Sequence, residues 1–311
     1  MMMLCRQPVT QGRTRVRREE LSEATCSIAQ ALAVVGDAWS LLIVRDVAGG
    51  VHRFDGLQAE LAISRRTLTE RLSGLISGGV LEQRPYSSAP PRHEYHLTET
   101  GRGLLPVLVS LQDWGSRYVL GDGTLSATTV PGSVESGRVH GLVGSVMPTL
   151  RLPAHDGAPY DVAEAGSWTV LAALPGATAD PTSYPAGWQE IPGAPGCTLE
   201  ATTYRDLAPE FAAAGVMLRL LSMATPQQAA PWADRLRLTN PVLSDVDAEL
   251  VTALRLPTFH AGGRDHLKRL TLVVDPDRVV RAVQFPITDP AGSVREALAL
   301  VQEALTRANG G

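Results

Sequence analysis

The sequence has few cysteines, few aromatic residues and no long apolar run. Its three cysteines, Cys5, Cys26 and Cys197, are too few and too scattered for a secreted disulfide framework or a cysteine-based zinc site. No apolar stretch approaches the roughly 20 residues needed to span a bilayer. The arginine-bearing N-terminus also lacks the apolar run of a signal peptide. We therefore expect a cytoplasmic protein without a membrane partner.

The charge of the chain is weakly negative and unevenly distributed. The net charge of −4 by itself argues against nucleic-acid binding. However, 14 basic and 12 acidic residues precede position 121, and 14 basic and 20 acidic residues follow. A mildly positive N-terminal part and an acidic C-terminal part fit a DNA-binding module joined to another domain. A charge difference this small carries little weight.

Four segments differ in composition. Residues 1–25 are polar and arginine-rich and predict a flexible arm. Residues 26–120 are dense in periodic apolar positions, whereas 121–144 are rich in Gly, Ser and Thr and predict a linker. In residues 145–311 short apolar strands alternate with helical patterns, which indicates an α/β domain.

The front domain contains two short helices joined by a tight turn. Ser64 is a good N-cap for the second of these helices, in which Leu68 and Leu72 keep the helical period. Such a pair predicts a helix-turn-helix. Arginines near the start of the second helix suit the major groove, where they can contact phosphates or guanine edges; the alternative is a solvated arginine face. The predicted DNA-binding residues are Ser64, Arg65, Arg66, Thr67, Thr69, Arg71 and Arg92.

A hairpin and a long helix are predicted to complete the front domain. Strands over 80–86 and 93–97, around a tip at 87–92, predict the wing. Thr98 is predicted to open one long helix that ends near Tyr118. Its apolar stripe could form a dimer interface or pack within the protomer.

In the back domain, a strand over Trp168–Leu174 leads through a loop, 176–196, to Cys197 at the start of a helix. Free backbone N–H groups and the helix dipole stabilise an anion at that place. The pattern therefore predicts a reactive thiolate at Cys197.

The front domain closely resembles the HxlR family of winged-helix regulators. The matching strings are GDAWSLLIVR at 36–45, RFDGL at 53–57, RTLTERL at 66–72, PRHEY at 91–95 and LTETG at 97–101. The resemblance implies a homodimer that reads an inverted-repeat operator in double-stranded DNA. It also implies a redox-sensing role for Cys26, because several members sense oxidants through a cysteine at the start of the first helix. The alternative is a small buried residue without chemistry.

The back domain resembles the thioredoxin-fold peroxiredoxins of the AhpC/TSA family, in particular the Q-type group. The matching strings are MPTLRL at 147–152, PGCTLE at 195–200, YRD at 204–206, SD at 244–245 and RLTLVVD at 269–275. The resemblance implies that Cys197 is the peroxidatic cysteine and that Arg269 holds the thiolate and the peroxide. A low-molecular-weight thiol or a thioredoxin-type protein is the implied reductant.

The sequence departs from that family at three places. Ala194 replaces the threonine that hydrogen-bonds the peroxide, and Thr202 replaces the resolving cysteine of the Q-type group. The loop before Cys197 is longer and rich in proline. These departures predict slow peroxide turnover, although oxidation to a sulfenic acid is still expected.

We therefore predict an α+β winged helix-turn-helix domain followed by an α/β thioredoxin-like domain. The predicted function is a DNA-binding transcriptional regulator that senses oxidants through Cys197 and Cys26. One alternative is a thiol-dependent peroxidase that uses the winged helix for dimerisation. Another is a regulator whose redoxin domain is catalytically inactive and binds a small ligand. No cofactor or metal is predicted, because His93 and His96 lie three apart on a strand and face opposite sides.

Overall fold

The computed structural model describes residues 21–88 and 91–309, and it divides into two compact units, residues 1–104 and 105–311. Most of the predicted arm, including Cys5, lies outside the described residues. The boundary between the units falls earlier than the predicted end of the front domain at residue 120.

The first unit is a winged helix-turn-helix. Ser64 caps the second helix of the pair as predicted, since its Oγ accepts the backbone N–H of Thr67 at 3.0 Å. The wing strands reach closer to the tip than predicted, because Ser87 pairs with Arg92. The elements are α1 (Ser27–Val35), α2 (Ser40–Ala48), α3 (Phe54–Leu61), α4 (Arg65–Ser77), β1 (Leu81–Ser88), β2 (Pro91–Leu97) and the single turn α5 (Glu99–Arg102).

The predicted long helix from Thr98 to Tyr118 is broken, which corrects the expectation of one continuous helix. α5 ends at Arg102, and α6 runs over Leu105–Trp114 before a π-helical turn, Gly115–Val119. Pro106 provides the physical reason, because proline has no N–H to donate and is tolerated only in the first turn of a helix. α6 therefore starts afresh just before this proline, at the boundary between the two units.

The second unit is built on a five-stranded sheet with the order β11-β10-β5-β6-β7. Strands β5, β6 and β7 are parallel, and β10 is antiparallel to both β5 and β11. After α6 and the π-helical turn, the elements are α7 (Val134–His140), β3 (Arg151–Pro153), β4 (Pro159–Asp161), β5 (Trp168–Ala173), α8 (Cys197–Ala213), β6 (Val216–Ser222), α9 (Pro226–Leu236), β7 (Val242–Ser244), α10 (Glu249–Leu254), β8 (Thr258–Ala261), β9 (Arg264–Leu267), β10 (Leu270–Val274), β11 (Val280–Gln284) and α11 (Gly292–Asn309).

The main core of this unit places α8 and α11 against the sheet. Tyr204 and Phe211 of α8 are fully buried, as is Val301 of α11. These side chains fix α8, and with it Cys197 at its first residue, to the sheet.

The segment 121–144, predicted as a linker, is packed onto the second unit instead. It contains α7, whose Glu135 is buried and pairs with Lys268 Nζ at 2.7 Å. Ala127 and Val139 of this segment are also buried. Small apolar side chains are enough for this packing, which explains why composition alone suggested a linker.

Within the described residues, no single helix is long and apolar enough to cross a membrane. The pair α1 and α2, bent by 74°, meets the criterion by length and composition only. No group of three or more His, Cys, Asp or Glu side chains that could hold a metal ion occurs in this part of the chain.

Candidate functional site

Cys197 is the first residue of α8 and lies beneath the loop that follows β5. Gly196 before it has φ +106°, a left-handed conformation that glycine adopts readily, and this turn sets the start of the helix. The Cys197 side chain is 5% exposed, and its thiol donates to the Ala194 carbonyl at 3.6 Å. The first-turn N–H groups of α8 have no partner within the helix and provide a positive electrostatic environment for the sulfur.

Arg269 lies beside this thiol, as the resemblance implied. Its Nη2 donates to Cys197 Sγ at 3.6 Å and to the Pro195 carbonyl at 3.0 Å. The side chain is fully buried. A buried guanidinium next to sulfur stabilises the thiolate and the charge that develops when a peroxide bond breaks.

Glu200 is the residue of this site that the sequence reasoning missed. It is fully buried, one helical turn after Cys197, and it accepts a hydrogen bond from Arg269 Nη1. The helical period puts positions 197 and 200 on the same face. A carboxylate on the buried face of α8 was therefore the available signal, since an acid is rarely buried unless it is paired.

Two of the three departures from the family pattern are single residues, Ala194 and Thr202. Ala194 is fully buried and offers the site only its backbone carbonyl. Thr202, at the resolving position, bonds with its hydroxyl to the Thr198 carbonyl at 2.9 Å.

Tyr184 also lies in the electrostatic field of this thiol. Burial, and then the negative charge of Cys197, raise the pKa of Tyr184 to about 12, so its hydroxyl stays protonated at neutral pH. In this site the Arg269 guanidinium contacts the Cys197 sulfur, whereas the alanine at position 194 offers no side-chain donor.

The predicted DNA contacts lie at the start of α4. Arg65 and Arg66 are exposed, and so is Thr69. Arg65 Nη1 pairs with Asp55 at 3.1 Å, and Arg66 Nε pairs with Glu70 at 2.9 Å. Exposed pairs of this kind are weak, so phosphates could displace the carboxylates.

The remaining predicted contacts divide into two kinds. Arg92 is exposed on β2, near the wing tip. Arg71 is half-buried and pairs with Asp37 at 3.4 Å, and Asp37 accepts the N–H groups of Trp39 and Ser40 before α2. Arg71 therefore contributes to the structure of the domain.

Cys26 is the N-cap residue of α1 and is half-buried, with no side-chain capping bond. Both Cys26 and Cys197 are free thiols. Cys26 belongs to the first unit and Cys197 to the second.

Several large apolar side chains are exposed together on each of two helical segments. On α1 they are Ile28 and Leu32. On α6 and the π-helical turn they include Leu111, Trp114 and Tyr118, and Trp114 is 56% exposed. Large exposed apolar groups that cluster on a helix typically mark interaction surfaces.

A winged helix-turn-helix joined to a redoxin unit with a buried Cys–Arg pair is thus the class that the fold and the sites define. The HxlR-like helix-turn-helix model matches residues 34–122, and the AhpC/TSA family model matches residues 143–283. The chain belongs to the HxlR-like helix-turn-helix family, and its second unit carries an AhpC/TSA domain.

Similar proteins cover one part of the chain or the other. An uncharacterised HTH-type transcriptional regulator of Mycobacterium tuberculosis is 47% identical over 93 residues, which is 30% of this chain and 59% of the relative. Another, of Methanothermobacter thermautotrophicus, is 35% identical over 97 residues, 31% of this chain and 74% of the relative. The chain thus spans less than two thirds of its mycobacterial relative.

Two solved structures are similar to the second half of the chain. The peroxidoxin BcpB of Mycobacterium tuberculosis has 27% identity and a TM-score of 0.44, and the match covers 52% of this chain and 96% of that one. Peroxiredoxin Q of Xanthomonas campestris has 22% identity and a TM-score of 0.42, with 52% and 94% covered.

Proposed function

We propose that the protein is a DNA-binding transcriptional regulator whose affinity for its operator changes when Cys197 is oxidised. The observation that carries the proposal is the contact of 3.6 Å between Arg269 Nη2 and Cys197 Sγ in a chain that also has a helix-turn-helix. Since such a regulator acts where its DNA is, the proposal places the protein in the cytoplasm.

DNA binding is assigned to α4 and the wing. Arg65 and Arg66 would contact the major groove from the start of α4, and Arg92 would contact the backbone from the wing. A homodimer would present two such helices to an inverted repeat. The exposed apolar side chains of α1 and of the 105–119 segment support an interface between two copies.

Oxidation is assigned to a hydroperoxide. The Cys197 thiolate attacks one peroxide oxygen, the S–O bond forms as the O–O bond breaks, and sulfur gives up an electron pair to the peroxide. The leaving oxygen takes a proton and departs as water or an alcohol, while sulfur becomes a sulfenic acid. The sulfenic acid then condenses with a second thiol to form a disulfide and release water; Cys26, Cys5 and a low-molecular-weight thiol are the candidates for it.

The decisive measurement is the affinity of the purified protein for the DNA upstream of its own coding sequence, reduced and then peroxide-treated, at one salt concentration. We expect a change of about tenfold, which corresponds to a difference of about 1.4 kcal/mol between two states. Cys197→Ser should abolish the change, and Cys26→Ser shows whether Cys26 supplies the second thiol. Equal affinity in both states of the wild type would reject the sensor. If Cys197→Ser leaves regulation intact, the second unit is a ligand-binding scaffold instead.

The contact between Arg269 and Cys197 also favours a second candidate function, a thiol-dependent peroxidase. Because Ala194 cannot donate to a peroxide, we expect slow turnover with dithiothreitol or a thioredoxin-type protein as reductant. Rapid and sustained peroxide consumption would favour the enzyme over the sensor.

A further inference from the structure

The segment between the π-helical turn and α7, residues 121–133, lies against the loop that covers Cys197; we call this segment the strap. The N–H of Ala127 in the strap donates to the Pro192 carbonyl in the loop at 2.9 Å. The Ala127 side chain is buried in one apolar cluster with Ile191 and Ala194 of the same loop. Ala194 is the residue whose carbonyl accepts the Cys197 thiol.

The strap and the loop approach each other closely at Gly193. Its φ is +81°, and a Cβ built there would lie 2.9 Å from Thr128 Cβ and 3.1 Å from the Ala127 carbonyl carbon. No side chain fits between the two backbones. The loop therefore cannot leave its position over Cys197 without disturbing the strap.

The first residues of the strap are hydrogen-bonded to the helical segment that precedes it. Arg117 Nε in the π-helical turn donates to the Gly123 carbonyl at 2.7 Å, and the Gly123 N–H donates to the Arg117 carbonyl at 2.9 Å. Behind the strap is a cavity of about 370 Å³, lined by Asp113, Phe259 and Lys268 among others. Residues of the strap also line this cavity, so that part of the strap is not packed against the rest of the unit.

Disulfide formation at Cys197 requires the loop to move. Cys197 is 5% exposed, and a partner sulfur must come within about 2 Å of its Sγ. Because the Ala194 carbonyl lies 3.6 Å from this sulfur, we expect the incoming sulfur to displace the segment 192–196, which carries the strap contacts.

We propose that the strap couples the thiol site to the 105–119 segment: when Cys197 forms a mixed disulfide, the loop leaves its place, the strap is released, and the helical segment before it loosens. The proposal rests on the proposed function, in which Cys197 is the oxidised residue. It adds the route by which that oxidation reaches a helical segment proposed for dimerisation.

The first test compares hydrogen–deuterium exchange of the full chain before and after Cys197 is converted to a mixed disulfide. In a Cys5→Ser, Cys26→Ser background, dithiobis(nitrobenzoate) reacts with the Cys197 thiol, forms the protein–aryl disulfide and releases one aryl thiol. We expect faster exchange, by about tenfold or more, in peptides that cover 115–133, while β5 and β6 stay protected. Unchanged exchange in 115–133 of the modified protein would overturn the proposal.

The second test changes a residue of the strap and measures the effect on the reactivity of Cys197. Ala127→Glu places a carboxylate in the buried contact and should speed the reaction of Cys197 with the aryl disulfide by about tenfold, the change that ~1.4 kcal/mol of lost contact energy gives. Val130→Glu is the matched control, because it adds the same group to the strap at a side chain that is 72% exposed. Equal rates for the two variants would also overturn the proposal.

Measurement of DNA affinity on the same samples distinguishes failure of the proposed coupling through the strap from failure of the proposed sensing function. If the strap exchanges faster after modification but operator affinity is unchanged, the coupling holds and the proposed sensing function fails. If affinity changes while the strap stays protected, the sensor holds and the signal takes another route.

Discussion

Arg269 contacts two buried acidic groups, the Glu200 carboxylate and the Cys197 thiol. Its Nη1 donates to the Glu200 carboxylate, and its Nη2 donates to the Pro195 carbonyl and to Cys197 Sγ. The ion pair fixes the plane of the guanidinium, and that plane aims Nη2 at the sulfur. A planar fork can make these bonds together, whereas the single ammonium of lysine cannot.

Arg269→Lys should therefore lower the rate at which Cys197 reacts with hydrogen peroxide, by about tenfold or more, although the positive charge is kept. Stopped-flow detection of sulfenic acid with a dimedone-type probe measures the rate. Arg264→Lys, an exposed arginine of β9, is the matched control and should leave the rate unchanged. If Arg269→Lys reacts at the wild-type rate, the fork geometry is not what activates the thiol.

Asp245 is a second buried carboxyl group, and it makes stability depend on pH. It accepts the N–H groups of Leu250 and Val251 at 3.2 Å and 2.7 Å, and burial raises its pKa to about 7. Because the pKa of Asp245 is higher in the folded chain than in the unfolded chain, the folded chain keeps this proton up to a higher pH. The stability that Asp245 contributes is then fully present below the unfolded pKa and is lost as pH rises towards 7.

Comparison with Asp245→Asn isolates this effect. Between about pH 5 and about pH 6.5, we expect the stability of the wild type relative to the variant to fall by roughly 1 kcal/mol per pH unit. Thermal unfolding of the full chain at several pH values measures it, with the exposed Asp247→Asn as the control. A wild-type advantage that rises with pH would contradict the sign.

At the scale of the element, α4 carries exposed arginines that we propose to contact DNA and one arginine, Arg71, that is half-buried and paired within the domain. Arg66 is exposed and its partner Glu70 is on the same helix, so Arg66→Ala should leave stability unchanged. It should weaken operator binding by about 1–3 kcal/mol if it contacts a base, or reduce the salt dependence if it contacts a phosphate.

Arg71→Ala should have the opposite effect. It removes the half-buried partner of Asp37, which caps α2, and should cost about 0.5–1 kcal/mol of stability after solvent screening. Anisotropy titrations with operator DNA and thermal unfolding measure both properties in both variants. If Arg71→Ala keeps wild-type stability but does not bind DNA, Arg71 contacts DNA after all.

Among helices and strands, the sequence predicted those whose signals lie within a few neighbouring residues. Ser64 and the leucine period of α4 predicted that helix closely, because capping and amphipathicity act within a few residues. The β8–β9 hairpin was missed because Gly262-Gly263 gave a turn signal without clear flanking alternation. The helical period could mark Glu200 as buried, but its partner Arg269 is far away in sequence. The burial of 121–144 likewise depends on Lys268, a distant partner that no local pattern reveals.

At the scale of the whole molecule, the exposed apolar side chains of the 105–119 segment carry the proposed association of two copies. The rings of Trp114 and Tyr118 are tilted relative to each other, with centroids 6.0 Å apart, on a surface that solvent reaches in the single chain. Aromatic side chains in such a position are typical anchors of an interface, because each buries a large apolar area at little cost in side-chain entropy. The strap begins directly after this segment, so the proposed interface and the strap are continuous in the chain.

Trp114→Glu should therefore shift the protein from dimer to monomer, and it should raise the dimer dissociation constant by about 30-fold or more, as expected for a buried anchor worth ~2 kcal/mol. Sedimentation equilibrium measures the constant, and Ala212→Glu on α8 is the exposed control. A monomer contacts one half-site at a time, so the variant should also lose the gain in operator affinity that comes from linking two recognition helices. If the variant remains a dimer with full affinity, the interface lies elsewhere, and the exposed Ile28 and Leu32 of α1 become the surface to change next.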